Sequence, residues 1–292
     1  LRFDLTVPLA RFYASHRSEL PAVFRAIQIA PVWRAERPQK GRYRQFVQCD
    51  IDVIGEAGPV AEVELITATA ATVRALGLEG CVIRVNDRRL LTSTLTILGF
   101  APEEFDGVLI TVDKLDKIGQ SGVLAELRER SVTPAAVDAL EALFTRPVTM
   151  ELLPFGEAAI RKFLPEGVDP AAVAELATIG EAVNEVLGEQ VVQFDPWLVR
   201  GMGYYTGAIF EVAHPSLGYS LGGGGRYDGM IGRFLGSDVP ATGFSLGFER
   251  LVELVDVVAE QGEAVALVHD RDAPLADLIT VQRGLIAQGL RV

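Results

Sequence analysis

Arg34, Arg37, Lys40, Arg42 and Arg44 stand within one short loop against a single acid, Glu36. A guanidinium is a planar donor fork that takes phosphate oxygens two at a time, so such a cluster can hold a polyphosphate. A solvated charge run on an acidic protein has the same composition. The stretch that follows, Gln45 to Ile54, weighs against a merely solvated loop. It sets Gln48, Asp50 and Asp52 in near alternation with Phe46, Val47, Cys49, Ile51, Val53 and Ile54. Two more arginines sit beside glycines. Arg200 opens RGMGYYTGAIFEV, where glycines next to Tyr204 and Tyr205 let backbone approach a ligand closely. A glycine-rich turn with half-buried tyrosines is the plainer alternative there. Arg250 follows Gly247 in TGFSLGFERLVEL, in the first turn of an expected helix, where free N–H groups attract an anion.

These residues need a sheet to hold them. Ile27 to Val32 and Gln45 to Ile54 read as the strands of an antiparallel hairpin whose tip is the basic loop, bent at Gly41 and stiffened at Pro38. Gly222 to Gly225 fits neither a dinucleotide fingerprint nor a Walker loop; in strand context it reads as a floor for a flat ligand. Ala208 to Val212 and the residues before Gly247 are further strands, as are Val82 to Val85, Val191 to Phe194 and Val265 to Val268, with another starting at Leu290. Leu1, Phe3 and Leu5 alternate with Arg2, Asp4 and Thr6 as a strand edge would, with a helix from Pro8; Asp4 is either part of that edge or a plain surface residue. Helices are expected over Pro59 to Leu76 and Asn86 to Leu98, ended by Gly77 and Gly99, and over Ala276 to Ala287. Thr133-Pro134 and Asp169-Pro170 are N-cap and first-turn pairs. The segment from Phe100 to Pro165 is richer in Lys, Glu and Asp and reads as a helical insertion without chemistry.

Composition bounds the function classes. The chain has 292 residues, 49% hydrophobic, with a net charge of −12. That charge argues against sequence-blind coating of nucleic acid, and leaves room for an RNA met through a local patch. Cys49 and Cys81 are too few for a disulfide framework, which favours a reduced, cytoplasmic setting. Cys49, in an apolar strand, reads as core rather than nucleophile. No run of apolar residues is long enough to span a membrane. His16, His214 and His269 have no ligand-like spacing, so no protein-held metal is expected.

The WRAERPQKGRYRQFVQCDID stretch resembles motif 2 of class II aminoacyl-tRNA synthetases. RGMGYYTGAIFE and GFSLGFERL, in the same order along the chain, resemble the histidine signature and motif 3 of the histidyl-tRNA synthetase family. The similarity spans nearly the whole chain, most weakly in the insertion. Motif 1 is absent, and Gly203 stands where many members carry Asp. The resemblance implies an α+β fold, a six- or seven-stranded antiparallel sheet flanked by helices. It divides the chain into a catalytic core over 1–99 and 166–260, a helical insertion over 100–165, and the start of a truncated α/β anticodon-binding domain over 264–292. It further implies ATP with Mg²⁺ as substrate complex, L-histidine and tRNA(His) as partners, a cytoplasmic homodimer, and no DNA or membrane partner.

Residue by residue, the resemblance implies that Arg34 holds the ATP α-phosphate and Glu36 the adenine side. Phe46 would stack on adenine, and Arg42 and Arg250 would grip the β- and γ-phosphates. Asp4, Gln48 and Tyr205 would read the histidine amino group; Asp52, Tyr204, Gly223 and Gly224 would line the imidazole pocket. Arg200 would sit between carboxylate and α-phosphate. Two alternatives stay open: a non-catalytic regulatory subunit of ATP phosphoribosyltransferase built on this fold, and an enzyme that activates an amino acid for another acceptor.

Overall fold

The computed structural model describes residues 1–130, 132–146, 154–200, 204–255, 265–270 and 273–290. The chain divides into two compact units, 1–254 and 255–292.

The first unit is built on a seven-stranded sheet. Its strands are β1 (Phe24–Trp33), β2 (Gln45–Ile54), β3 (Val82–Asp87), β4 (Val192–Phe194), β5 (Ala208–Ala213), β6 (Gly222–Arg226) and β7 (Ala241–Gly247). They lie in the order β1-β2-β7-β6-β5-β3-β4. Every pairing is antiparallel except β3 with β4, so the sheet is mixed at one edge only. Helices α1 (Thr6–His16), α2 (Val60–Ala75), α3 (Arg88–Leu98), α4 (Phe105–Val112), α5 (Leu115–Glu129), α6 (Pro134–Phe144), α7 (Glu157–Arg161), α8 (Pro170–Leu187), α9 (Asp228–Leu235) and α10 (Phe248–Val252) accompany it.

Local chemistry explains the helix ends. The Asp169 carboxylate accepts from the N–H groups of Ala171 and Ala172, and Pro170 takes the first helical position of α8. Gly99 closes α3 and Gly188 closes α8, both in the left-handed conformation that glycine adopts without steric cost. Thr133 precedes α6 but makes no cap; its hydroxyl and N–H bond the Glu104 carboxylate instead.

Three expectations change. Residues 1–5 form no strand: Trp33 N–H donates to Arg2 O at 2.9 Å, and the Arg2 side chain donates to Pro31 O. The segment thus lies along the end of β1 without joining the ladder. Helix α1 begins at Thr6, two residues before Pro8, and Asp4 accepts from Val7 N–H at 3.1 Å. In the second unit, residues 265–268 and Leu290 are not strand, although α11 (Leu275–Ala287) is helical as its periodicity predicts. Among the described residues of this unit no second strand stands beside the short apolar run to satisfy its backbone groups.

One core cluster joins α3, α4, α5 and α6 to Leu198, Val199 and Ile209, with Trp197 and Tyr205 packed against it. Phe144 meets Trp197 edge-on at 4.6 Å. The helical segment therefore braces the stretch that ends at Arg200. Residues 201–203, including the position where Gly203 departs from the family pattern, lie outside the described residues.

Candidate functional site

Strand β2 breaks the usual rule of apolar side chains inward. Its buried alternate positions are Gln48, Asp50 and Asp52, while Val47, Cys49 and Ile51 are half-buried on the other face. Burying polar groups without partners is costly, so such a reversal marks a ligand wall. The register extends it across the sheet. Gln28, Asp50, Ser245, Gly223, Glu211 and Arg84 are successive cross-strand partners, so they form one row on one face.

The acidic end of the cleft has acceptors without donors. Asp52 Oδ1 accepts from the Tyr227 hydroxyl at 2.6 Å, while Oδ2 is buried with no partner among the described residues. Gln48 Nε2 donates to Ser245 Oγ at 2.8 Å and to Asp50 Oδ1 at 3.3 Å; Gln48 Oε1 is likewise orphaned. Burial pushes the Asp52 carboxyl up to about 7 and the Asp50 carboxyl up to about 6. Tyr204 and Tyr205 meet edge-on at 4.9 Å, and burial holds both phenols protonated.

The Asp52 shift has a stability consequence. Its folded value lies above the ordinary carboxylate value, so the folded chain binds the extra proton between about pH 4 and 7 and loses stability as pH rises through that window. Asp52→Asn removes the buried charge. It is expected to melt above the wild type at pH 8, with the difference closing near pH 5, where the wild-type carboxyl is already neutral. Melting curves at both pH values check this; a variant that melts lower at pH 8 contradicts it.

The opposite end of the cleft is cationic. The Arg34 guanidinium lies between the rings of Phe3 and Phe46, at 4.6 and 4.9 Å from their centroids. Arg42 pairs with Glu36 at 2.9 Å. Arg250 donates to the carbonyls of Gly41 at 2.9 Å and Ser220 at 2.7 Å. No carboxylate lies within ion-pair distance of Arg34 or Arg250 among the described residues. Burial lowers the proton affinity of both guanidiniums, and Arg200 and Arg42 depress Arg250 further. A polyanion would relieve that unbalanced charge.

Arg200 links the two ends. Its Nη2 pairs with Glu211 and donates to Ser220 Oγ at 2.7 Å, while Ser220 O serves Arg250. A methyl added at Gly223 would stand 2.7 Å from Arg200 Cζ, so the guanidinium lies on the bare glycine backbone. Gly223→Ala should push that flexible side chain aside, lowering turnover on the order of tenfold or more while leaving the melting temperature nearly unchanged. Turnover and melting measured together check this, and an unchanged turnover refutes the role of the bare surface.

Asp4, Arg34, Glu36, Arg42, Phe46, Gln48, Asp52, Arg200, Tyr204, Tyr205, Gly223 and Arg250 line one cleft of about 360 Å³. Gly224 does not. Strand alternation turns it to the reverse face, level with Phe210 and Phe244, whose rings stack at 5.6 Å. The basic loop also divides: Arg34 and Arg42 line the cleft, whereas Arg37, Lys40 and Arg44 do not. Several lining residues were missed in the sequence. Asp50 shares the period-two face of Gln48 and Asp52, which was a usable signal. Tyr227, Ser245 and Glu249 had none, because each meets its partner across strands or loops far apart in the chain. Glu249 accepts from Val47 N–H at 3.0 Å, and Tyr43 and Tyr219 both donate to Glu253.

An antiparallel sheet flanked by helices, with motif 2-like and motif 3-like arginines at one end of a cleft, is the architecture of a class II aminoacyl-tRNA synthetase. The chain belongs to the histidyl-tRNA synthetase family: the family model described as histidyl-tRNA synthetase matches residues 1–251. The histidine–tRNA ligase of Leifsonia xyli subsp. xyli is 58% identical over 294 residues, an alignment covering all of this chain and 68% of that protein. The probable histidine–tRNA ligase of Tropheryma whipplei is 42% identical over 303 residues, covering 100% and 70%. The crystal structure of histidyl-tRNA synthetase from Nostoc sp. superposes with a TM-score of 0.80 at 27% identity, over 100% of this chain and 69% of that one. A Bacillus halodurans protein described as an ATP phosphoribosyltransferase regulatory subunit/histidyl-tRNA synthetase has a TM-score of 0.77 at 24% identity, over 100% and 74%, and shares the fold.

Proposed function

We propose that the chain activates L-histidine with ATP·Mg²⁺ to histidyl-adenylate and transfers the histidyl group to tRNA(His). The observation that carries this reading is the polarity of one cleft. Among the described residues, orphaned acceptors on Gln48 and Asp52 face one end, and Arg34 and Arg250, guanidiniums with no carboxylate within ion-pair distance, face the other. An amino acid with two N–H-bearing groups fits the first end, and a nucleoside triphosphate fits the second. The roles implied by the family then apply. Gln48, Asp4 and Tyr205 receive the amino group; Asp52 and Tyr204 receive the imidazole, with Tyr227 holding Asp52. Arg34, Arg42 and Arg250 take the phosphates, and Glu36 and Phe46 take the adenine.

The histidine carboxylate attacks the α-phosphorus in line and pyrophosphate leaves. The chain's part is to orient both substrates and to stabilise charge spreading over the phosphoryl oxygens, which fixed guanidiniums do without a side-chain nucleophile. The tRNA terminal hydroxyl then attacks the adenylate carbonyl. A regulatory subunit would have no use for the guanidiniums of Arg34, Arg42, Arg200 and Arg250, all of which line the cleft. In domain terms, 1–99 and 166–260 form the catalytic core, 100–165 an insertion, and 264–292 belongs to an anticodon-binding domain. The protein is read as cytoplasmic and as a homodimer; the exposed Ile27 and Ile29 on edge strand β1 support the dimer. No helix of the described residues is long and apolar enough to cross a membrane.

Histidine-dependent ATP–pyrophosphate exchange, with and without tRNA(His), tests the function. Exchange without tRNA and charging with it are expected. Exchange without charging would point to another acceptor, and no exchange would sink the reading.

A further inference from the structure

A glutamine amide has a donor end and an acceptor end of nearly the same shape, so its neighbours decide which end faces a ligand. Gln48 is 7% exposed. Its Nε2 lies 2.8 Å from Ser245 Oγ and 3.3 and 3.5 Å from the two carboxylate oxygens of Asp50. The hydroxyl settles nothing, since it can donate or accept. Asp50 does: an ionised carboxylate only accepts, so the amide must turn its NH₂ inward. The Gln48 carbonyl is then left toward the cleft, buried and without a donor.

Asp50 is suited to this task. It is 2% exposed and stands between Gln28 and Ser245 in the cross-strand row. Ser245 accepts from Gln48, and its hydroxyl works against burial to keep Asp50 ionised. Burial raises the Asp50 carboxyl only to about 6, so it remains ionised at pH 8.

We propose that Asp50 is a positioning residue that fixes the Gln48 amide with its carbonyl toward the substrate, and so sets the site's requirement for an α-amino group. The inference rests on the reading of this cleft as a histidine site. Replacing the carboxylate by an amide would supply an inward donor. An asparagine can meet Gln48 with either end, so the amide is no longer held in one sense and can present NH₂ to the substrate ammonium, donor against donor.

The test is calorimetric binding at pH 8, on the intact protein, of L-histidine and of its des-amino analogue, 3-(imidazol-4-yl)propionate. The readout is the ratio of the two affinities. In Asp50→Asn the preference for L-histidine should fall roughly 10- to 100-fold, the range for a hydrogen bond to a charged group. The analogue should bind nearly as before. Asp50→Gly removes the carboxylate without adding a donor and leaves Gln48 to Ser245 alone. Its preference should fall less, by about threefold to tenfold, and it serves if the Asn variant does not fold. A merely structural role would weaken both ligands together, and an unchanged ratio in either folded variant overturns the proposal. A wild type with no preference for L-histidine overturns the histidine reading itself, and the inference with it.

Discussion

Arg200→His is expected to lower the rate of adenylate formation by roughly 10²–10³, the usual cost of losing one preorganised donor aimed at developing charge. The Michaelis constants for ATP and histidine should move much less. Arg200 lies on the bare backbone of Gly223 and is held by Glu211 and Ser220. It belongs to neither phosphate-gripping loop, and it shares Ser220 with Arg250, so it can reach the reacting groups of both substrates. A charge there relieves the repulsion between carboxylate and phosphate and gains contact as negative charge builds. Interactions stronger in the transition state appear in turnover rather than in binding. Arg200→Lys should recover only part of the loss, because it restores charge without the planar fork. Steady-state exchange kinetics decide the matter. Near-normal turnover with weakened ATP binding would make Arg200 a substrate anchor instead.

The largest stability effect is expected at Arg226. Its side chain on β6 is 7% exposed and forks onto Glu62 of α2, fully buried, at 2.6 and 2.7 Å. The same guanidinium donates to the carbonyls of Glu56 and Gly58 and pairs with Asp228. It therefore ties the start of α2 to the glycine strand that floors the cleft. Burial already raises the Glu62 carboxyl despite this partner. Arg226→Met would strand that carboxylate in the interior and leave two carbonyls without donors. Breaking a buried pair from one side costs about 3–5 kcal/mol, whereas exchanging both partners for apolar groups is often nearly neutral. Arg226→Met should thus lower the unfolding midpoint sharply, and Arg226→Met with Glu62→Leu should recover most of it. Denaturant unfolding of the two variants checks this. A double variant as unstable as the single one would show that the carbonyl contacts, rather than the stranded charge, carry the cost.

Much of the local structure was legible in the sequence because its causes are local. The β2 strand reads from its period of two, α8 from Asp169-Pro170 and Gly188, and the hairpin tip from Pro38 and Gly41. Arg34, Arg42, Arg200 and Arg250 stood out because each lay in a loop, beside a glycine or in the first turn of a helix after one, where side chains are rarely core. Even so, a loop of five cations gave no sign that only Arg34 and Arg42 turn into the cleft.

What the tertiary structure alone decided are the meetings between distant segments. Asp50 and Ser245, or Glu211 and Gly223, become neighbours only through strand register, which depends on the pairing of whole strands rather than on any nearby residue. The same register turned Gly224 away from the site and Gly223 toward it, since adjacent residues on a strand face opposite sides. Glu62 and Arg226 look like ordinary surface charges in a list of residues; burial made them a pair. The sequence by itself determined which elements form and which charges are available. The sheet determined which of those charges are buried, which acceptors are left without donors, and hence where a ligand must supply the missing bonds.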